Sequence, residues 1–146
     1  MSIIDLYDLF IHNPQITTDS RNCPKGSIFF ALKGDKFDGN QYAGKALASG
    51  CVYAVIDNPD YYIGERTILV DNVLKTLQQL AHHHRKVLGL PIIGITGTNG
   101  KTTTKELVGR VLSRKFRTAV TQGNLNNHIG VPLTLLAMTR DTEFGV

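Results

Sequence analysis

The stretch Ile92-Ile93-Gly94-Ile95-Thr96-Gly97-Thr98-Asn99-Gly100-Lys101-Thr102-Thr103 constrains this chain more than any other. An apolar run suited to a buried strand passes through a glycine turn into a Lys-Thr pair, and a helical pattern continues to about Lys115. A strand–loop–helix unit of this kind belongs to an α/β fold, because it needs further parallel strands beside it. Glycines let backbone N–H groups converge on an anion with no Cβ in the way, and the helix start adds partial positive charge. Lys101 can reach the β- and γ-phosphates of a nucleotide, and the Thr102 hydroxyl is placed to ligate Mg²⁺. Gly97, Thr98, Asn99, Gly100, Lys101, Thr102 and Thr103 are therefore the candidate ATP-binding residues, with Lys101 the candidate catalytic residue and Thr102 the candidate metal ligand. The usual phosphate-loop pattern opens on a glycine where this chain has Ile95, flanked by Gly94 and Gly97.

Upstream, Ile3, Leu6, Tyr7 and Phe10 have helical spacing, ended by Pro14. Ile16-Thr17-Thr18, Ile28-Phe29-Phe30-Ala31-Leu32, Val52-Tyr53-Ala54-Val55-Ile56 and Thr67-Ile68-Leu69-Val70 read as strands. Lys33 to Asn40 reads as a turn-rich loop and Gln41 to Ser49 as a helix with Gly50 as its cap. A long helix capped by Asp71 or Asn72 reaches about Gly89. Beyond the phosphate loop, Arg117 to Thr121 is strand-like. Gln122 to Asn127 is a polar loop, and a helix follows near Val131–Met138. Gly89-Leu90-Pro91 is the best domain boundary, giving an α/β domain over 1–90 and the first part of a parallel-sheet, phosphate-loop domain over 91–146. Phe144-Gly145-Val146 resembles a strand being started, so the chain is expected to be part of a longer protein.

Charge and composition exclude other classes more than they select one. The chain has 146 residues, 16 Lys plus Arg against 12 Asp plus Glu, and a formal charge of +4, which is consistent with an anionic ligand without identifying it. No apolar run approaches the roughly 18–20 residues that span a bilayer, and the acidic start Met1-Ser2-Ile3-Ile4-Asp5 is unlike a secretory signal. The expected location is cytoplasmic, with no membrane insertion. Cys23 and Cys51 are expected to be ordinary thiols there. His82-His83-His84 spreads around a helix and reads as a polar face, not a metal site. Arg110, Arg114, Lys115 and Arg117 compensate a helix dipole; without interleaved aromatics they do not make a nucleic-acid surface.

The variant Gly97-Thr98-Asn99-Gly100-Lys101-Thr102-Thr103 resembles the ATP loop of the Mur ligase family, which forms the amide bonds of the peptidoglycan peptide stem. Thr18-Asp19-Ser20-Arg21, Gly26 to Gly34 and Phe37-Asp38-Gly39 resemble the family's N-terminal uridine-nucleotide-binding domain. Gly123 to Leu136 is similar to the member that adds a D-alanyl-D-alanine dipeptide. The resemblance implies an enzyme using ATP and Mg²⁺ to activate the terminal carboxylate of UDP-N-acetylmuramoyl-tripeptide as an acyl phosphate, which the amine of D-alanyl-D-alanine attacks. It also implies a magnesium-binding glutamate, a carbamylated lysine and a C-terminal domain that these 146 residues lack, so the chain alone is expected to be inactive. The alternatives are the sibling synthetase that adds the third stem residue, and a non-catalytic nucleotide-binding module.

Further candidate substrate-binding residues follow. Ser20 and Arg21 match family positions near the uridine, although a Ser-Arg pair after a strand is also an ordinary turn. Lys36 and Phe37 sit in a loop that either meets the uracil or diphosphate or is simply solvated. Asn124, Asn126, Asn127 and His128 supply amides and an imidazole that can bind a sugar, a phosphate or adenine; their competing use is loop and cap chemistry.

Overall fold

The apolar runs of the first half pair with one another, and all in parallel. The computed structural model describes residues 1–146, and its chain divides into two compact units, Met1–Leu80 and Ala81–Val146. The first unit contains α1 (Ile3–His12), β1 (Ile16–Thr17), β2 (Ile28–Phe30), β3 (Lys33–Gly34), β4 (Phe37–Asp38), α2 (Ala43–Ser49), β5 (Tyr53–Ile56), β6 (Thr67–Leu69) and the first half of α3 (Val73–Leu88). Its main sheet has the order β1-β2-β5-β6, with Ile16 opposite Ile28, Ile28 opposite Tyr53 and Ala54 opposite Thr67.

A parallel sheet covered on both faces needs apolar residues at successive positions, and Ile28, Phe29 and Phe30 are all buried. Phe29, Ala31, Ala54 and Ile56 form one face with Ala43, Ala46 and Leu47 of α2 and with Cys51. Strand alternation turns Ile28, Phe30 and Val55 to the other face, and they are buried too. The apolar stripes of α1 (Leu6, Phe10) and α3 (Val73, Leu77, Leu80) are likewise buried. Both helices start on side-chain caps: Ser2 Oγ accepts from Asp5 N–H at 3.2 Å, and Asn72 Oδ1 accepts from Lys75 N–H at 2.7 Å.

Between β2 and α2 the structure differs from the expected loop. β3 and β4 form a small antiparallel hairpin with Lys33 opposite Asp38 and Gly34 opposite Phe37. The Phe37 ring lies over Gly34, where a Cβ would come within 2.5 Å of it. The short ladder carries no alternation long enough to be read as strand.

The second unit contains the rest of α3, then α4 (Lys101–Leu112), β7 (Thr118–Ala119), α5 (Gly130–Leu136) and β8 (Phe144–Gly145). β7 and β8 are parallel, and Ile92 makes a parallel bridge to Gly145 on the other side of β8. The expected strand over Ile92–Thr96 is thus reduced to one bridge, supported by Ile93 N–H to Gly145 O at 2.8 Å and Gly145 N–H to Pro91 O at 3.0 Å. Val146, next along β8, directs its N–H to Ala119 and its carbonyl to Thr121 N–H. Gly94 to Thr96 therefore have no ladder. The histidine run also departs from a purely polar face: His84 is buried, and its Nε2 lies 2.8 Å from the Met138 carbonyl. No helix is long and apolar enough to cross a membrane.

Candidate functional site

In the second unit the glycine turn delivers the chain to α4 through Gly100, which has φ +77° in the left-handed region. That conformation is strained for residues with a Cβ and routine for glycine. No side chain caps the first turn of α4, so its amides are available to an anion and its dipole is unopposed there. Gly97, Thr98, Asn99 and Gly100 are all exposed, as are Thr102 and Thr103. The Lys101 ammonium folds back to donate to the Gly97 carbonyl, a neutral partner that a phosphate oxygen would outcompete. A cavity of about 230 Å³ opens beside this loop, with Lys101, Thr102, Asn126 and Thr134 among its polar lining and Ile93, Ile95 and Leu135 among its apolar lining.

No carboxylate lines that cavity. The donor set of backbone amides, an ammonium and hydroxyls fits the polyphosphate of a nucleotide. Thr102 offers a single oxygen to a magnesium ion, which in such sites is held largely by phosphates and water. The second unit thus brings Lys101, Thr102 and Asn126 to one cavity. Asn127 is engaged differently: its Oδ1 accepts from Ile129 N–H at 3.1 Å and Gly130 N–H at 2.7 Å, holding the turn that leads into α5. Asn124 and His128 are exposed on the same loop, outside the cavity lining.

Lys105 escaped the sequence reading. It is 9% exposed, and its Nζ donates to the carbonyls of Thr121 at 2.7 Å and Gly123 at 3.0 Å. The available signal was its spacing with Gly109, the other buried residue of α4, one turn further on.

In the first unit the other candidates follow the C-terminal ends of parallel strands, the edge at which open α/β sheets bind ligands. Ser20 and Arg21 follow β1. Arg21 donates from Nε to Asp19 Oδ1 at 2.9 Å and from Nη2 to Asp19 Oδ2 at 2.8 Å. The Arg21 side-chain bonds, with help from its backbone N–H, hold Asp19 down at about 2. An anionic ligand at this edge would compete with Asp19 for the guanidinium. Ser20 is half-buried, and its carbonyl accepts from the Cys23 thiol at 3.4 Å.

Lys36 and Phe37 lie at the exposed tip of the β3–β4 hairpin, with Phe37 57% exposed. The hairpin base is fixed by residues that sequence alone did not bring together. Asp57, immediately after β5, receives Lys33 Nζ at 2.8 Å and Asn40 Nδ2 at 3.0 Å on Oδ1, while its Oδ2 accepts the Val73 N–H of α3 at 3.1 Å. Fully buried Asn40 returns its Oδ1 to Asp57 N–H at 3.0 Å. Burial pushes the Asp57 carboxyl up, but the bonds from Lys33, Asn40 and Val73 together outweigh it and hold the group below its ordinary value.

A family model described as the Mur ligase family, catalytic domain, matches residues 12–85, and one for the Mur ligase middle domain matches residues 95–146. The chain is 43% identical over 133 residues to a UDP-N-acetylmuramoyl-tripeptide–D-alanyl-D-alanine ligase of Bacillus subtilis, covering 90% of this chain and 29% of that protein. It is 42% identical over 141 residues to the ligase of the same name from a Synechocystis species, covering 95% and 31%. Among solved structures, MurF from Acinetobacter baumannii superposes with a TM-score of 0.82 at 38% identity, over 90% of this chain and 29% of that one. The MurF ligase of Thermotoga maritima in complex with ADP gives 0.82 at 30% identity, over 94% and 32%. The chain spans less than a third of the length of these relatives.

Proposed function

The chain belongs to the Mur ligase family, and on that premise we propose that it is the amino-terminal part of an ATP-dependent ligase that joins D-alanyl-D-alanine to UDP-N-acetylmuramoyl-tripeptide. The carrying observation is the uncapped start of α4 behind left-handed Gly100, with Lys101 held only by a neutral carbonyl. The relative solved in complex with ADP supports the nucleotide reading. In this reading residues 1–90 bind the uridine-sugar end of the substrate and residues 91–146 begin the ATP-binding domain of a cytoplasmic enzyme.

MgATP, when bound, supplies the phosphoryl group that turns an unreactive carboxylate into an acyl phosphate open to an amine. The first-turn amides of α4 and the loop glycines orient the phosphate chain. Lys101 exchanges the Gly97 carbonyl for phosphate oxygens and offsets the charge that develops on them. Thr102 would give one hydroxyl oxygen to a bound magnesium ion, and Asn126 faces the same cavity as a neutral donor and acceptor. At the sheet edge of the first unit, Ser20 and Arg21 together with Lys36 and Phe37 take the uridine diphosphate, Arg21 by trading its Asp19 partner. Asn124, Asn127 and His128 complete the candidate substrate contacts on the loop before α5.

Titration of the ¹⁵N-labelled chain tests both halves. MgATP is expected to shift Gly100 to Thr103, and UDP-N-acetylmuramoyl-tripeptide to shift Ser20 and Arg21, more than UDP-N-acetylmuramoyl-dipeptide does. A response to MgATP with none to either uridine ligand would leave a nucleotide-binding module and overturn the ligase reading. The 146-residue chain itself is expected to release no ADP with both substrates present.

A further inference from the structure

We propose that Lys105 is a positioning residue that locks the loop Gln122–Asn127 to the phosphate-binding helix, so that a nucleotide engaging the start of α4 is sensed along the loop. The proposal rests on the nucleotide reading of Gly100–Thr103 given above and extends it to a residue outside the phosphate-loop motif.

Two lysines one helical turn apart behave differently. Lys101 has a single, neutral carbonyl partner at the rim of the cavity. Lys105 is buried, donates to the carbonyls of Thr121 and Gly123, and lies 3.4 Å from Glu106 Oε1. Two of its three ammonium donors are thus spent on carbonyls, with a carboxylate beside them, in contrast to the single carbonyl partner of Lys101. Glu106 is half exposed and therefore screened, which leaves the two carbonyls as the partners that justify burying the charge.

The loop is shaped for this contact. Gly123 has φ +50°, a left-handed residue that turns the chain so that the carbonyls of residues 121 and 123 meet one ammonium. Thr121 is fixed on its other side by β8, through its N–H to Val146 O at 2.8 Å. The Lys105 clamp thus sits where β7 gives way to the loop that carries Asn126. Lys101, Thr102, Lys105, Thr121, Gly123 and Asn126 all line the same cavity. A shift of the first turns of α4 would therefore reach the loop through this charged clamp.

The test uses the ¹⁵N-labelled 146-residue chain, alone and with MgATP, as wild type, Lys105→Met and Lys101→Ala. In the wild type the Lys105 ammonium protons are expected to exchange slowly enough with water to be observed, and MgATP is expected to shift both Gly100–Thr103 and Gly123–Asn127. Lys105→Met keeps the buried stem and removes the donors. It is expected to raise the mobility of Gly123–Asn127 without ligand, and to lose the MgATP response there. The response at Gly100–Thr103 is expected to persist, with about tenfold weaker affinity. Lys101→Ala is expected to weaken both responses together, moving them to roughly 10- to 100-fold higher MgATP. A general loosening would not separate the two regions in this way.

Unchanged mobility and MgATP response of Gly123–Asn127 in Lys105→Met would overturn the proposal while leaving the nucleotide reading standing. No wild-type response at Gly100–Thr103 would overturn the nucleotide reading, and the role of Lys105 in it. Should Lys105→Met not fold, Lys105→Gln, which retains an uncharged amide NH2 on a shorter side chain, is expected to give a partial loop response. Should neither variant fold, the wild-type ammonium decides: fast exchange with water refutes the clamp, and slow exchange supports it.

Discussion

The two units hold themselves together by different means. The first closes a four-stranded parallel sheet with apolar residues on both faces, and its largest buried side chains, Phe10, Phe29 and Phe30, are nearly or wholly inaccessible. In the second, the buried hydrophobic residues are only Ala81, Leu136, Met138 and Val146. Its ladders are two residues long, and much of the remaining order comes from side chains seizing carbonyls: Lys105 on Thr121 and Gly123, His84 on Met138, Arg117 on Asp141. The difference teaches where each unit is vulnerable. A sheet core fails by loss of volume, whereas carbonyl clamps fail one at a time and locally.

Substitutions can break that comparison or sharpen it. The largest effect is expected from Phe30→Ala, which opens a cavity in the first unit and should destabilise it by about 3–5 kcal/mol. Denaturant unfolding followed by residue-resolved amide signals would check this, and equal loss from a truncation of Met138 would break the contrast. Lys101→Ala comes next: MgATP binding should weaken roughly 10- to 100-fold, with the unfolding midpoint of the first unit unmoved. Equal loss of uridine-ligand binding would mean a wrong map of the two sites.

Asp57→Ala leaves the buried Asn40 amide and the Val73 N–H short of a partner, and is expected to cost the first unit about 1–3 kcal/mol. A pH series refines this prediction. Because the folded Asp57 carboxyl titrates below its ordinary value of 3.8, its stabilisation is full above that value and is lost as pH falls toward and through the folded pKa. Acid unfolding of the variant should therefore be shallower than that of the wild type. The smallest effect is expected from Gly123→Ala, about 1–2 kcal/mol of left-handed strain, read as faster amide exchange confined to residues 121–127.

Legibility in the sequence follows the same division. The strands Ile28–Phe30 and Tyr53–Ile56, within the expected runs Ile28–Leu32 and Val52–Ile56, were readable because burial on both faces imposes apolar runs. α3 was readable because Asn72 announces it and its stripe has helical period. The glycine turn before α4 could be read for the opposite reason: left-handed Gly100 and the helix that starts at Lys101 follow from a few adjacent residues. Contacts joining distant positions were invisible. Asp57 lies far from Lys33 and Asn40 in the chain, Lys105 from Gly123, and His84 from Met138. Nor could an apolar run such as Ile92–Ile95 say how much of it would find a partner strand.

The hairpin over Lys33–Asp38 divides its work along its length. Its base is held by Asp57 and buried Asn40, whose replacement would disturb the sheet exit and the start of α3. Its tip, Asp35 and Lys36 with the exposed ring of Phe37, touches little of that machinery. Change at the tip is therefore nearly free of folding consequence, while change at the base is not. Over many generations of mutation, such a layout lets the exposed tip residues drift and be selected while the scaffold beneath them stays the same.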